Sequence, residues 1–183
     1  PSHILRVDPK LIDQHEKYEV HSSIKLKTAN QGFASAVATA DALYAIPYHM
    51  NSIVRLRLDG TGSMTTISIA AYAPDTAGGK FLGGALVGTD GIIMIPFFAP
   101  VVLKLNATTL ARTTYDKWPA GTPVHKQFFG GVALPSQNSS GDYDVWMPPI
   151  SLHPVVKLDH ASGEITAFDR WPTPNGHHPG SLW

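Results

Sequence analysis

The strongest constraint on the fold of this 183-residue chain is an internal repeat with a period close to 50 residues. An apolar run that ends in proline occurs three times, at Pro47, Pro96 and Pro148, with spacings of 49 and 52 residues. A fixed period in this range is typical of proteins that repeat one supersecondary unit. The whole chain is therefore expected to repeat one small unit of structure.

Two further markers accompany the prolines in the same order. The first is an alternating apolar run that ends in a short polar side chain, at Asp8, Asp59, Asn106 and Asp159. The second is a phenylalanine two residues before a pair of small residues, at Phe33, Phe81 and Phe128. Because three markers recur in one order, the repeat is not a chance match of composition.

Each unit divides into four predicted strands. Residues 83–88 open with glycine and are apolar throughout, and residues 91–96 follow a Gly/Asp turn and end in proline, which cannot donate to a sheet ladder. Residues 52–58 alternate, which places Val54, Leu56 and Leu58 in a sheet interface and turns Arg55 and Arg57 away from it. A stretch rich in threonine and aromatic residues follows. Four antiparallel strands per unit are typical of a β-propeller blade.

The repeated motifs carry a family resemblance. The runs "LYAIPY", "IIMIPF" and "DVWMPP", followed by "VRLRLD", "VLKLN" and "VVKLD", resemble β-propeller-like repeat proteins with "W/F-S-G-G-V-L-A-x-N-G-x-I-Y-x-I-P-Y" and then "V-L-x-I-D-P" in each blade. Two departures are visible: Ser35-Ala36 replaces the glycine pair of the first full unit, and the third unit carries an insertion around residues 136–142. The resemblance implies the fold and brings no catalytic residues, because these motifs are structural.

The predicted architecture is an all-β propeller segment of about three full four-stranded antiparallel blades with partial blades at both ends. One domain is expected from the chain length. The predicted boundaries are a partial blade over residues 1–32, blades over residues 33–80, 81–127 and 128–176, and the start of a further blade over residues 177–183. We therefore expect this segment to belong to a longer propeller, to an assembly, or to a pair of copies.

Composition excludes several classes of partner. Basic and acidic residues balance at 14 each, so the chain lacks the positive field that nucleic acid or an anionic membrane requires. No apolar run reaches the length of a membrane-spanning helix. The absence of cysteine excludes disulfides and thiolate chemistry but assigns no compartment. The expected partner is a protein or the remaining blades of the same propeller.

One face of the predicted propeller collects the candidate binding residues. Strand alternation places the loops between second and third strands on the same face as the connections between blades, where ligands meet a rigid scaffold. The candidates are Tyr48, His49, Asn51, Phe97, Phe98, Trp118, His125, His153, Trp171 and His177. Histidines at such a face could hold a metal. Because no spacing typical of metal ligands supports that interpretation, we expect no metal and no cofactor.

Two other patterns leave alternatives open. "YDKW" and "FDRW" place Trp118 and Trp171 in register, either as an aromatic rim for a sugar or peptide or as covers for the gaps between blades. Repetition in register favours the covering role. The sequons at Asn106 and Asn138 are short matches that matter only in a secreted protein.

The favoured functional hypothesis is a non-enzymatic scaffold that binds other proteins. The main alternative is a propeller enzyme of the metal-assisted hydrolase or lactonase type, which would need acidic or amide side chains at the channel end of the first strands. Those positions hold glycine, alanine, valine and leucine. A second alternative is a carbohydrate-binding propeller, which would repeat one similar polar pocket in every blade.

Overall fold

The computed structural model describes residues 4–7, 18–21, 32–72, 79–120, 122, 128–137, 141–150 and 154–169. Strands form four separate sheets in this part of the chain. A two-stranded sheet contains β1 (Ile4–Val7) and β2 (Tyr18–His21). Blade 1 contains β3 (Phe33–Ala38), β4 (Ala42–Pro47), β5 (Ser52–Arg57) and β6 (Met64–Ser68). Blade 2 contains β7 (Phe81–Val87), β8 (Gly91–Pro96), β9 (Val102–Asn106) and β10 (Arg112–Tyr115). Blade 3 contains β11 (Val132–Pro135), β12 (Tyr143–Met147), β13 (Val155–Asp159) and β14 (Ile165–Phe168).

The three blades have one topology. Strands that follow one another in the chain lie side by side and pair antiparallel in each of them. The prediction of three full four-stranded antiparallel blades is therefore confirmed. The described residues contain no helix of the length and hydrophobicity needed to span a membrane.

Strand alternation in β5 buries Val54 and Leu56 as expected, but the expectations for Arg55 and Leu58 are wrong. Arg55 pairs with Tyr44 and lies over its ring, so it shares the side of β5 that carries buried Ile53 and faces blade 2. Val54 and Leu56 are buried, with 3% and 4% of their surface exposed, and they lie on the opposite side of the sheet from Arg55. The expectation that Leu58 is buried with them is wrong, because Leu58 is 47% exposed. The strand ends at Arg57, so the period of two no longer places the next side chain in the interface.

The register between first and second strands corrects the position of the third proline. Phe33 pairs with Pro47 and Phe81 pairs with Pro96, whereas Phe128 pairs with Pro149. The repeat marker in blade 3 is therefore Pro149 and not Pro148. This shift of one residue exchanges the two sides of the strand that precedes the proline.

Two apolar cores hold the blades together. The first core joins Tyr44 and Ile46 of blade 1 to Ile92 and Met94 of blade 2, among other residues. The second core joins the alternate residues of β8 to the apolar side chains of blade 3: Ile93, Ile95, Val145, Met147, Val156 and Leu158. Both sides of β8 are thus buried, which explains why its sequence is a continuous apolar run.

The short polar residue that ends each third strand stabilises the following turn. The Asp159 carboxylate accepts hydrogen bonds from the backbone N–H groups of Ala161 and Ser162, both at 3.0 Å. These bonds hold the pKa of Asp159 below its ordinary value. Asn106 accepts from Thr109 at 2.7 Å in the same way. The repeat marker is therefore a turn-forming side chain.

Candidate binding face

The strand registers place both predicted loop sets at one face of the blades. Ser52 pairs with Ser68, so the start of β5 and the end of β6 lie at the same edge of blade 1. In blade 2, Val102 and Tyr115 are paired at the corresponding edge. The connections that leave β6 and β10 therefore begin beside the loops between second and third strands. We call this surface the loop face.

Four candidate residues of the loop face form one aromatic cluster. The rings of Tyr48 and His49 meet edge to face with centroids 4.5 Å apart, and those of Phe97 and Phe98 do so at 4.6 Å. Tyr48 and Phe97, from neighbouring blades, lie 5.8 Å apart. All four side chains are half-buried. The cluster thus joins two loops that are distant in the sequence.

The connection between blades 1 and 2 fixes the position of this cluster. The Lys80 backbone N–H donates to the Tyr48 carbonyl at 2.6 Å, and the Lys80 carbonyl accepts from Phe97 N–H at 2.8 Å. A Cβ at Gly79 would lie 2.5 Å from the ring of Tyr48, so glycine is needed for this close approach. The backbone therefore holds the aromatic loops against each other.

Trp118 bridges blades 2 and 3 at the same face. Its indole Nε1–H donates to the Pro100 carbonyl at 2.8 Å, and its ring stacks on Phe128 with centroids 6.0 Å apart and an interplanar angle of 12°. The ring packs against the core between the two blades. These contacts agree with the expected covering role. Trp171, its predicted counterpart, lies outside the described residues.

The sequence interpretation missed two exposed apolar side chains at the loop face. Phe129 is 69% exposed and follows Phe128, whose N–H donates to the Pro96 carbonyl at 3.3 Å. Ile150 follows the marker Pro149 and is 38% exposed. The doublet Phe128-Phe129 was the available signal, because only its first phenylalanine belongs to the repeat marker.

The other candidates have separate placements. Asn51 is exposed, and its backbone carbonyl accepts a hydrogen bond from Ile69 N–H at 2.9 Å. His125, His153 and His177 lie outside the described residues. No group of three histidine, aspartate or glutamate side chains that could hold a metal occurs in the described part of the chain. The expected absence of a metal stays a prediction.

The side chain of Asn106, in the first sequon, is already occupied by the fold. Its Nδ2 donates to an Asp90 carboxylate oxygen at 2.8 Å, while its Oδ1 accepts from two backbone N–H groups of the turn. Attachment of a glycan would replace one of the two hydrogens on this nitrogen, which already donates to Asp90. The contacts favour a turn-forming role for Asn106. Asn138 lies outside the described residues.

A polar contact joins β9 and β10 of blade 2 to the turn that follows β13 of blade 3. Lys104 Nζ contacts His160 Nε2, and the Tyr115 hydroxyl donates to the His160 carbonyl at 3.5 Å. Burial lowers the pKa of His160, and the Lys104 ammonium lowers it further, while Asp142 and Asp159 act in the opposite direction. The folded state therefore favours the neutral imidazole, whose Nε2 can accept from Lys104.

Acid is expected to weaken the junction between blades 2 and 3. The unfolded chain binds a proton at His160 near the ordinary pKa of 6.5, whereas the folded chain binds it only at lower pH. The stability that the neutral His160 imidazole contributes is therefore fully present above pH 6.5 and is lost as the pH falls towards the folded pKa.

Urea unfolding at pH 7.5 and at pH 5.5 tests this expectation. The free energy of unfolding should fall less between these two pH values for His160→Gln than for wild type. Lys104→Met should reduce the pH dependence only in part, because burial is the larger cause. Equal slopes for wild type and His160→Gln would contradict this assignment.

The fold and the packing of the three blades are those of a β-propeller protein. Solved structures agree: the chain resembles virginiamycin B lyase from Staphylococcus aureus with a TM-score of 0.64 at 14% identity, over 94% of this chain and 50% of the lyase. It also resembles a catalytically inactive variant of that lyase with quinupristin, with a TM-score of 0.61 at 14% identity over 89% of this chain and 48% of the variant. A streptogramin B lyase matches with a TM-score of 0.57 at 19% identity, over 81% of this chain and 43% of the lyase.

These similarities establish the fold alone, because every identity lies below 20%. The chain spans about half the length of these solved proteins. No protein-family model matches the chain, and neither does any curated protein. The function must therefore be argued from the loop face itself.

Proposed function

We propose that this chain is a non-enzymatic scaffold whose loop face binds a protein partner through aromatic side chains. The observation that carries the proposal is Phe129, which is 69% exposed at the face that also holds the Tyr48–Phe97 cluster. When a partner covers this ring, apolar surface is removed from water, and that burial favours binding. Aromatic side chains commonly supply most of the binding energy of protein interfaces.

The chemistry of the face indicates the kind of partner. The Tyr48, Phe97 and Phe98 rings pack against one another on loops whose backbones are joined by hydrogen bonds, so little conformational entropy is lost when they bind. Ile150 adds a further exposed apolar side chain. The matching surface is a peptide segment or loop with apolar and aromatic side chains. The balanced charge of the chain supplies no long-range attraction for a highly charged partner.

Selection from a displayed peptide library tests the proposal on the intact protein. We expect enriched peptides to carry aromatic and aliphatic residues, and Phe129→Ser to weaken their binding by at least about tenfold, as expected for a central aromatic contact. Leu110→Asn is the matched control, because Leu110 is 37% exposed in the turn after β9 at the opposite face. Its φ of 60° suits asparagine. The control should bind as wild type does.

Other outcomes would replace the scaffold with one of the alternatives. If no peptides are enriched and the protein binds oligosaccharides, with loss of that binding in Phe129→Ser, the chain would be a carbohydrate-binding propeller. Turnover of quinupristin, the compound bound to one structural neighbour, would assign an enzyme. If the enriched peptides bind Phe129→Ser and wild type equally well, the loop face is not the peptide-binding surface.

A further inference from the structure

The sequence contains the dipeptide Asp-Gly at Asp59–Gly60 and at Asp90–Gly91, and the fold holds the two in different ways. In such a dipeptide the glycine nitrogen can attack the Cγ atom of the aspartate side chain and form a five-membered succinimide ring. Glycine hinders this attack least, because it has no Cβ. Each dipeptide is therefore chemically able to convert aspartate into isoaspartate, and its surroundings decide whether it does.

Asp59 and Gly60 lie in an open turn between β5 and β6. Gly60 has a φ of 84°, and apart from its chain neighbours no atom lies within 4 Å of the position that a Cβ would take. The side chain of Asp59 is 37% exposed. The ring that joins the two residues therefore has room to form in the folded protein.

Asp90 and Gly91 are held by the sheet of blade 2. Gly91 is the first residue of β8, and a Cβ there would lie 2.8 Å from the Val87 carbonyl oxygen. The Asp90 carbonyl accepts from Ala107 N–H at 2.7 Å, and its carboxylate accepts from Asn106 Nδ2 at 2.8 Å. The ring can form at this position only after the turn opens locally.

Two neighbouring side chains restrain the Asp59 carboxylate. Its Oδ1 accepts from the Thr61 hydroxyl at 2.5 Å and from the Thr61 backbone N–H at 3.0 Å, and its Oδ2 accepts from Arg57 Nε at 2.7 Å. The bond from the Thr61 hydroxyl is the main cause that holds the pKa of Asp59 below its ordinary value. The ring forms from the protonated carboxyl group, whose hydroxyl leaves as water, so these contacts slow the reaction.

We propose that Asp59 is a site of spontaneous conversion to isoaspartate in the folded protein and that the Thr61 hydroxyl controls its rate. The Gly60 nitrogen forms a bond to Cγ of the Asp59 carboxyl group, the N–H proton joins the departing hydroxyl, and one water molecule leaves. Water then adds to the ring. Addition at the side-chain carbonyl restores aspartate, and addition at the main-chain carbonyl gives isoaspartate. The net change is an isomerisation that consumes no other reactant.

The product changes the turn and leaves the loop face untouched. Isoaspartate inserts one methylene group into the main chain between Arg57 and Ser63, where the Arg57 N–H donates to the Ser63 carbonyl at 2.9 Å and closes the turn. The site lies at the end of β5 away from Ser52 and the loop face. The inference therefore does not depend on what the loop face binds.

Incubation of the intact protein in water enriched in ¹⁸O, at mildly acidic pH, tests the site. Each opening of the ring adds one ¹⁸O atom, and isoaspartate changes the retention time of the peptide. Trypsin digestion in ordinary water, after Arg57, Lys80 and Lys104, separates residues 58–80 from residues 81–104. We expect label and isoaspartate in the first peptide and at least about tenfold less in the second, because Asp90 reacts only when its turn opens. In urea both peptides should react at comparable rates.

Three variants assign the signal to named groups. Thr61→Val lacks the hydroxyl and should react faster by about two- to tenfold, the range that one net hydrogen bond contributes. Thr61→Ser keeps the hydroxyl and should react at the wild-type rate. Asp59→Glu should remove the signal from residues 58–80, because glutamate would need a six-membered ring.

Each part of the inference has an outcome that would overturn it. Equal labelling of the two peptides in the folded protein would overturn the selection of Asp59. Absence of label from residues 58–80, over a time in which the chain reacts in urea, would overturn the site itself. A wild-type rate in Thr61→Val would overturn the role of the hydroxyl.

Discussion

Gly83→Ala is expected to be the most destabilising single methyl addition in the described part of the chain. Gly83 has a φ of 125°, and a Cβ at this position would lie 2.5 Å from the Cα of Gly130 in the next blade. The first strands of blades 2 and 3 are joined here by a hydrogen bond from Gly130 N–H to the Leu82 carbonyl at 2.8 Å. A backbone atom cannot move aside as a flexible side chain can.

The expected loss combines two physical costs. Backbone strain at an unfavourable φ costs about 1–3 kcal/mol, and overpacking costs about 1–3 kcal/mol more, so the free energy of unfolding should fall by about 2–6 kcal/mol. Gly88→Ala is the matched control, because Gly88 has a φ of 62° but no atom within 4 Å of the added Cβ. Urea unfolding followed by circular dichroism should show at least twice the loss for Gly83→Ala. Equal losses would mean that the inner strands do not approach as described.

Truncation of the adjacent residues Phe128 and Phe129 should have very different effects on the free energy of unfolding. Phe128 is 2% exposed and stacks on Trp118, whereas Phe129 is 69% exposed. Phe128→Ala should lower the free energy of unfolding by about 3–5 kcal/mol, because it removes a buried ring and leaves a cavity. Phe129→Ala should change it by no more than about 0.5 kcal/mol, as is usual for exposed positions.

The two variants also separate stability from binding. Phe129→Ala should no longer bind the peptides selected on the wild-type protein, while its unfolding curve stays unchanged. Thermal and urea unfolding of both variants, with peptide binding measured on the folded fraction, checks the pair. A large loss of stability in Phe129→Ala would show that this ring belongs to a core, and the loop-face proposal would then lose its main support.

Sequence pattern was sufficient for most strands because their signals are local. The predicted strand begins at Gly91 after a Gly/Asp turn and ends at Pro96, because proline cannot donate to the ladder. The observed β8 has the same bounds. The alternation in β5 predicted the burial of Val54 and Leu56 correctly and failed at Arg55, which lies on the side that faces blade 2, and at Leu58, one residue beyond the strand. Tyr48 and Phe97 of the loop face could be named because each immediately follows a proline of the repeat.

The sequence by itself determined the repeat, the four strands of each unit and the face on which the loops lie, because proline, glycine and the period of two act within a few residues. Only the tertiary structure decided what lies between the blades. The sequence pattern assigned Pro148 as the third marker, and the pairing of Phe128 with Pro149 in the structure corrected it. The contact of Lys104 with His160 and the exposure of Phe129 depend on how one sheet packs against the next, which no local pattern specifies.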